Sequence, residues 1–284
     1  MTDMTLVGYR PAGRLGLVRA YLSATVGIVR RDAVIRASYR GTLLSTVVSV
    51  VFTLATFYFV SKLVHVPPFN TPSEYFAYTV VGIVVFGLIR SSLSIPTNLR
   101  QELVAGTYER LVLSPFGGTA ATVALMIFPI LYALAMSLVE LGVAVVVFGV
   151  KIQWDTAALA VPLALAGAFA FAPFALIFAA VTLAFKQAPG QNAVLAVFAL
   201  VSGLYFPVAL LPWWLKWLSE IQPFTPTVAL LRHVLIGFPL PPGMSIPGAI
   251  AKLAGFILIG IPIGVGLVSR AGRYGRRRGT IIEY

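Results

Sequence analysis

The chain has 284 residues, of which 59% are hydrophobic and 11% are charged. A soluble domain cannot bury this much apolar surface, so the composition predicts an all-α polytopic membrane protein. The net charge of +12 does not indicate a nucleic-acid partner, because the basic residues flank apolar segments instead of forming one face of a soluble domain. The chain contains no cysteine, which excludes disulfides and thiolate metal sites.

The N-terminal segment, residues 1–41, carries seven arginines and two aspartates. It has no uninterrupted apolar core followed by a small-residue cleavage site, so we do not expect a secretory signal peptide. Its apolar residues instead recur at close to helical spacing, which predicts an amphipathic helix lying along the lipid headgroups, with arginines directed to anionic phosphates. The apolar positions are Leu15, Val18, Leu22, Val26, Val29 and Ala33.

Six apolar segments follow within residues 42–268, and each reaches the roughly 20 residues that a membrane-spanning helix needs. Pro129, Pro173 and Pro262 are expected to kink the third, fourth and sixth spans, because proline removes a backbone donor. The predicted spans are residues 42–65, 75–97, 119–150, 157–185, 192–211 and 247–268.

The basic residues predict the orientation of these spans. A cytoplasmic N-terminus assigns fifteen basic residues to cytoplasmic segments and five to outer segments. Both termini are then cytoplasmic, including the basic tail of residues 269–284. All four tryptophans lie near the outer ends of spans, where they are common as interfacial anchors.

The cytoplasmic loop 98–118 is a short polar segment between two apolar spans. Asn98 followed by Gln101 predicts the start of a helix, and Pro115 predicts its end. One interpretation is a helix gripped by a partner from the water side, and the other is an ordinary solvated helix. The less polar stripe that could lie against other protein consists of Leu99, Leu103, Thr107, Leu111 and Ser114.

The segment 204–246 is too apolar for a free loop and contains too many prolines for one spanning helix. We expect one or two short helices that re-enter the outer leaflet, with neighbouring protein satisfying the broken backbone. A loop held at the membrane surface by tryptophans is the alternative.

Loop 98–118 contains a first motif: Glu102, Gly106-Thr107, Glu109, Leu111 and Ser114-Pro115. Segment 204–246 contains a second: Tyr205-Phe206-Pro207, Leu211-Pro212, Pro223-Phe224-Thr225 and Leu231-Arg232. The first motif is similar to the pattern E-x-x-x-G-T-x-E-x-L-x-x-S-P, and the second to the pattern FFP, LP, P-x-T and LR. Both patterns belong to type-2 ATP-binding-cassette exporter permeases, which this chain therefore resembles.

This resemblance implies a permease subunit that exports an amphiphilic substrate, such as a drug-like metabolite, a lipid or a lipid-linked glycan, across the cytoplasmic membrane. Its implied partners are membrane lipid, two copies of a cytoplasmic ATPase and a second permease, identical or related. The implied outer gate is Phe206, Pro207, Leu210 and Pro212. The implied ATPase-coupling residues are Glu102, Gly106, Thr107, Glu109, Ser114 and Pro115, with the two glutamates expected to contact basic groups of the ATPase.

The chain is not expected to be an enzyme or to bind a cofactor. It has no phosphate-binding G-x-x-x-x-G-K-[ST] loop, since none of its lysines follows a glycine. ATP and Mg²⁺ are therefore expected on the partner ATPase. No metal site is expected either, because His65 and His233 lie far from any cluster of ligands.

Intramembrane charges leave two interpretations open. Glu140 in the third span either lines the export path or sits at the wet end of a tilted helix. Arg90 is expected to reach the nearer interface. The alternative function is an ion-driven secondary carrier for a hydrophobic substrate, although such carriers usually show internal repeats and acidic or histidine residues near the midplane. An intramembrane enzyme would need catalytic side chains that the spans lack.

Overall fold

The computed structural model describes residues 13–64, 67–108, 117–185 and 190–277. Within these ranges every regular element is a helix, and no strand occurs. Helices are the expected solution for an apolar chain, because each backbone N–H and C=O group must find a partner where no water is available. The prediction of an all-α membrane protein is confirmed.

The described first half of the chain contains two long helices followed by two helices that are each interrupted once. The interruptions lie between α3 and α4 and between α5 and α6, and each comes shortly before a proline, Pro96 or Pro129, which sits in the first turn of the next helix. Proline is tolerated there because the first N–H groups of a helix have no intrahelical partner. The helices are α1 (Gly13–Ser38), α2 (Arg40–Ser61), α3 (Pro72–Ser92), α4 (Ile95–Val104), α5 (Gly117–Ala124) and α6 (Ile127–Val146).

Of the seven helices described in the second half, one has 26 residues and the other six have 4 to 17 residues. Pro173 lies inside α8, which continues through it, whereas Pro262 follows a wide π-helical turn, Phe256–Gly260, that joins the last two helices. A 3₁₀ turn, Val208–Leu210, follows α9. The helices are α7 (Trp154–Ala157), α8 (Ala160–Phe185), α9 (Gln191–Val201), α10 (Trp213–Ile221), α11 (Phe224–Ile236), α12 (Ile246–Gly255) and α13 (Ile261–Arg277).

Five helices in the described residues are long and apolar enough to cross a membrane, when their short interruptions are included. They agree with five of the six predicted spans to within a few residues, apart from extensions at the ends of the second and last spans. They are Arg40–Ser61, Pro72–Val104, Gly118–Val146, Ala160–Phe185 and Ile246–Gly275.

The structure corrects the predicted fifth span, residues 192–211. The helix in this segment ends at Val201, so its 11 residues fall short of a spanning helix. Gly203 adopts a left-handed conformation with φ +79°, which a continuing helix does not allow. Pro207 and Pro212 then precede the 3₁₀ turn and α10, respectively. Sequence hydropathy registers the apolar residues but not this break in the backbone.

The core is organised around α8, which is rich in buried alanine and contacts α3, α4, α11 and α13. Gly260 and Gly264, one helical turn apart, allow the last span to approach α8 closely. A Cβ at Gly260 would lie 2.5 Å from Pro173 Cγ, and one at Gly264 would lie 2.8 Å from Leu176 Cβ. Small residues at this spacing are typical of close helix pairs in membranes.

The two ends of the bundle are distinguished by what α3 contacts along its length. Near its start, the Tyr78 hydroxyl donates to Gly203 O at 3.0 Å. Just beyond its end, Leu93 O accepts a hydrogen bond from the Gln191 side-chain amide. Tyr78 and Leu93 are 15 residues apart, about 22 Å at helical rise. We call the end that carries α4 the α4 end, and the opposite end, which carries α10, the α10 end.

Candidate functional site

The polar segment predicted as one helix over most of loop 98–118 has a different local structure. Its helix, α4, starts at Ile95 and ends at Val104, so the predicted start at Asn98 is wrong. Gly106 ends the helix with φ +66°, a conformation that glycine adopts without strain. Nothing in the described chain lies within 4 Å of a Cβ placed there, so the turn, and not a close approach within the chain, accounts for this glycine.

A compact polar cluster holds the end of α4 against α1. Arg31 Nη2 donates to Glu102 Oε1 at 2.8 Å and pairs with Asp32 at 2.9 Å. The other oxygen of Glu102 accepts a hydrogen bond from Thr107, whose hydroxyl also lies 3.2 Å from Glu102 O. Partial burial lowers the pKa of Arg31, but hydrogen bonds and charge from Asp32 and Glu102 outweigh it and raise the pKa above its ordinary value. We call these four residues the α1–α4 joint.

The joint explains three residues of the first motif by contacts within the chain. Glu102 and Thr107 bond to each other, and Gly106 supplies the turn between them. The side chain of Glu102 is only 15% exposed. Its expected contact with an ATPase stays a prediction. Glu109, Ser114 and Pro115 lie outside the described residues.

One face of α4 packs into the core, and the opposite face is exposed. Leu99 and Leu103, two positions of the predicted stripe, are buried, and Thr107 is half-buried. The exposed face carries Arg100 and Val104, the latter 59% exposed. Among the described residues of the segment, this is the face of α4 that a partner can reach.

A cavity of about 730 Å³ lies between the joint and α6. The guanidinium of Arg36 stacks on the ring of Tyr132, 4.5 Å from its centroid. The hydroxyl of Tyr132 is buried and has no hydrogen-bond partner among the described residues. The remaining walls include Ser91, Asn98 and Gln101. The cavity is polar on α3 and α4 and aromatic on α6, which suits an amphiphilic molecule.

At the α10 end, the guanidinium of Arg232 is the central polar group. Arg232 lies in α11 and is 3% exposed. Its Nε donates to Tyr78 O at 3.0 Å, and its two Nη atoms donate to Gly203 O and Leu204 O, each at 2.7 Å. The guanidinium also lies over the Tyr78 ring, 3.3 Å from its centroid. One side chain thus binds α3 and the turn after α9, and it supplies donors to a stretch of backbone outside any helix.

Gly82, one turn along α3 from Tyr78, provides the space for this arrangement. A Cβ at Gly82 would lie 2.5 Å from Leu204 O and 2.8 Å from Arg232 Nη2. Contacts this short do not occur for real Cβ atoms, so the turn at Gly203 and Leu204 can sit against α3 only where α3 has no side chain.

The four predicted gate residues follow this turn directly. Phe206 and Pro207 are half-buried, whereas Leu210 is 54% exposed and Pro212 is exposed. Pro207 borders a cavity of about 170 Å³ that Tyr78 and Arg232 also line. The structure therefore places Pro207 beside Tyr78 and Arg232 and Phe206 beside the turn at Gly203. Leu210 and Pro212 are exposed outside this contact region.

Glu140 stands apart from both clusters. It is half-buried in α6, with Oε2 4.0 Å from the position of a Cβ on Gly87 of α3. Arg90 is exposed. Neither residue takes part in an ion pair within 4 Å to another described residue, so the two interpretations of Glu140 stay open.

Sequence reasoning missed the partners of the motif residues. Arg31 was one of seven N-terminal arginines with no distinguishing neighbour, and Tyr78 and Gly82 were ordinary members of a span. Arg232 did carry a signal, since an arginine in an apolar segment needs local partners. Its partners are backbone carbonyl groups, which the sequence does not mark.

Comparison with known proteins supplies the family. Residues 28–236 match the family model described as ABC-2 type transporter. A search of curated proteins finds no match. The matched range covers more than half of the chain and contains α4, the turn at Gly203 and the Arg232 cluster. The chain therefore belongs to the ABC-2 type transporter family.

Proposed function

We propose that this chain is the permease subunit of an ATP-driven exporter that moves an amphiphilic substrate out across the cytoplasmic membrane. Membrane domains of this family are permease components that lack the ATPase cassette and pair with an ATPase subunit. We extend this to two copies of the ATPase and to a second permease, identical or related. The substrate classes that fit are a drug-like metabolite, a lipid and a lipid-linked glycan.

The observation that carries the proposal is the α1–α4 joint. It ties the end of α4 to α1, while the opposite face of α4 stays exposed. A short helix with one face fixed to the spans and the other free is suited to dock in a groove of a partner and to transmit its movement. Glu102 and Thr107 then act within the permease, and Arg100 and Val104 face the ATPase.

The proposed topology has six crossings and both termini in the cytoplasm. The crossing that is not one of the five long helices contains α9. Support for it comes from hydrogen bonds at both ends: Gln191 donates to Leu93 O, and Gly203 O accepts from the Tyr78 hydroxyl. The chain between them covers most of the length of α3, although its helix is short. In this topology α1 lies at the cytoplasmic membrane surface, and the segment that contains Phe206 and Pro207 re-enters the outer leaflet as a gate.

The proposal is tested by co-purification of the permease with the ATPase of its source cell. We expect Val104→Asp to lower ATPase recovery about tenfold or more, since a buried unpaired charge at an interface costs more than 1.4 kcal/mol. Val147→Asp is the matched control, because Val147 is 61% exposed, against 59% for Val104, and lies at the opposite end of the bundle. Equal recovery for the two variants would contradict docking through α4.

A charge swap tests the joint separately. We expect Glu102→Arg to weaken coupling of transport to ATP hydrolysis because it places two arginines together, and the double variant Arg31→Glu, Glu102→Arg to restore it. A double variant as defective as the single one would assign Glu102 to a direct ATPase contact. If no ATPase co-purifies with the wild-type protein and transport proceeds without ATP, the alternative function, an ion-driven secondary carrier, is favoured over the exporter.

A further inference from the structure

We propose that the α10 end holds a binding site for the headgroup of an aminophospholipid such as phosphatidylethanolamine. The site is a cavity of about 550 Å³ enclosed by α10, the start of α11 and the start of α12. It is lined by the charged groups of Lys216, Glu220 and Lys252. The inference concerns the surrounding lipid and holds whether or not the chain is an exporter.

The surface of α10 carries charged side chains and exposed tryptophans next to each other. Lys216 and Glu220 are one helical turn apart and line the cavity together. Trp213 and Trp217 are also one turn apart, beside this charged pair on the helix surface, and are 85% and 57% exposed. Exposed tryptophans on a short amphipathic helix are typical of the membrane interface. The cavity therefore lies at headgroup level.

The opposite wall of the cavity also combines a charged side chain with exposed apolar ones. Lys252 projects from α12 into the cavity and is half-buried. Ile246 and Ile250 of the same helix are 42% and 48% exposed. Apolar surface on both sides of a charged cavity offers contacts to acyl chains beside a polar headgroup. A free anion would use the charges alone, so this arrangement favours a lipid.

The charged groups in the cavity have no ion-pair partner of their own. Glu220 interacts electrostatically with Lys252, yet no N–O distance within 4 Å joins any of the three residues to another described group. Charges at an interface of low polarity gain from a bound counter-charge. Two ammonium groups beside one carboxylate offer partners both to an anionic group and to a cationic group of the same ligand.

This charge pattern matches a headgroup with both a phosphate and a primary amine. The phosphate oxygens accept hydrogen bonds from Lys216 and Lys252, and the amine donates to Glu220. A phosphocholine headgroup has no N–H to donate, and a phosphoglycerol headgroup has no amine. The order of affinity expected from this chemistry places phosphatidylethanolamine above both.

The test is lipid binding to the purified full-length chain in detergent, measured by native mass spectrometry. Phosphatidylethanolamine, phosphatidylcholine and phosphatidylglycerol with identical acyl chains are titrated in parallel. We expect Lys216→Met and Lys252→Met each to weaken phosphatidylethanolamine binding about tenfold, the loss of one charge-assisted contact. Glu220→Gln should remove the preference for phosphatidylethanolamine over phosphatidylcholine. Lys151→Met, an exposed lysine at the same end but outside the cavity, should change neither.

Three results would overturn the proposal. Equal affinity for the three lipids in the wild-type protein would exclude recognition of the amine. Displacement of the lipid by inorganic phosphate at equal concentration would identify a site for a free anion. Unchanged preference in Glu220→Gln would remove the assignment of the amine, and this exposed position keeps the test valid even if a lysine variant fails to fold.

Discussion

Replacement of Arg232 by methionine tests the role of a buried guanidinium in a membrane protein. The variant keeps a long side chain but removes donors to three carbonyl oxygens. Two of these oxygens retain a partner: Gly203 O still accepts from the Tyr78 hydroxyl at 3.0 Å, and Tyr78 O lies inside α3, where it accepts an intrahelical bond. Leu204 O is left with no hydrogen-bond donor among the described residues.

The expected loss of stability follows from these partners. An unsatisfied buried carbonyl costs about 1–3 kcal/mol, and a desolvated cation–π contact contributes about 2 kcal/mol. Relief from burying the charge offsets part of this loss. We therefore expect about 3 kcal/mol of destabilisation, which corresponds to a fall in Tm of about 6–12 °C for a chain of this size.

The variant Arg232→Lys distinguishes the contribution of the hydrogen-bond geometry of the guanidinium from that of its positive charge. Lysine keeps the buried charge and its desolvation cost, but one ammonium cannot replace a planar fork that spans three carbonyl groups. We expect a Tm no higher than that of Arg232→Met, measured by thermal unfolding of the detergent-solubilised protein. Arg100→Met, at an exposed position, is the control. A Tm for Arg232→Met within about 2 °C of wild type, or a wild-type Tm for Arg232→Lys, would refute the reasoning.

Two further predictions concern close contacts of glycine. Gly82→Ala should lower the free energy of unfolding by about 1–3 kcal/mol, because its Cβ would overlap Leu204 O. The control is Gly87→Ala, which should change Tm little because its Cβ would meet nothing closer than 4.0 Å. Equal losses of Tm in the two variants would contradict the close packing at Gly82. Gly264→Leu should separate the last span from α8, lower the free energy of unfolding by about 1–3 kcal/mol and reduce Tm by several degrees. Gly266 has open space around it, so Gly266→Leu should leave Tm unchanged. A wild-type Tm for Gly264→Leu would show that the contact is not needed.

The long spans could be predicted from the sequence because hydropathy depends on composition over about 20 residues. The breaks between helices could not be predicted from the sequence. The end of α9 depends on the left-handed Gly203 and on carbonyl groups satisfied by Arg232, more than 25 residues further along the chain. A window of apolar residues gives no indication of such a long-range contact, so residues 192–211 were predicted as one helix.

The motifs directed attention to loop 98–118 and segment 204–246, but they did not reveal the contacts of individual residues. Charges in a loop suggest contact with a partner, and the sequence does not show that Arg31 lies beside Glu102. Two positions of the predicted stripe, Leu99 and Leu103, are buried on the same face of α4, as helical spacing requires. A pair 71 positions apart follows only from the fold.

The bonds at the two ends of α3 suggest how movement at α4 would reach the opposite end of the bundle. At the α4 end, Leu93 is bonded to Gln191, the first residue of α9. At the α10 end, Tyr78 and Arg232 are bonded to Gly203, just beyond the last residue of α9. Because α3 and α9 are connected at both levels, a displacement of α4 that tilts α3 would also carry the turn at Gly203. Phe206 and Pro207 follow that turn within four residues, so the proposed gate would move with the proposed docking helix without any change inside either helix.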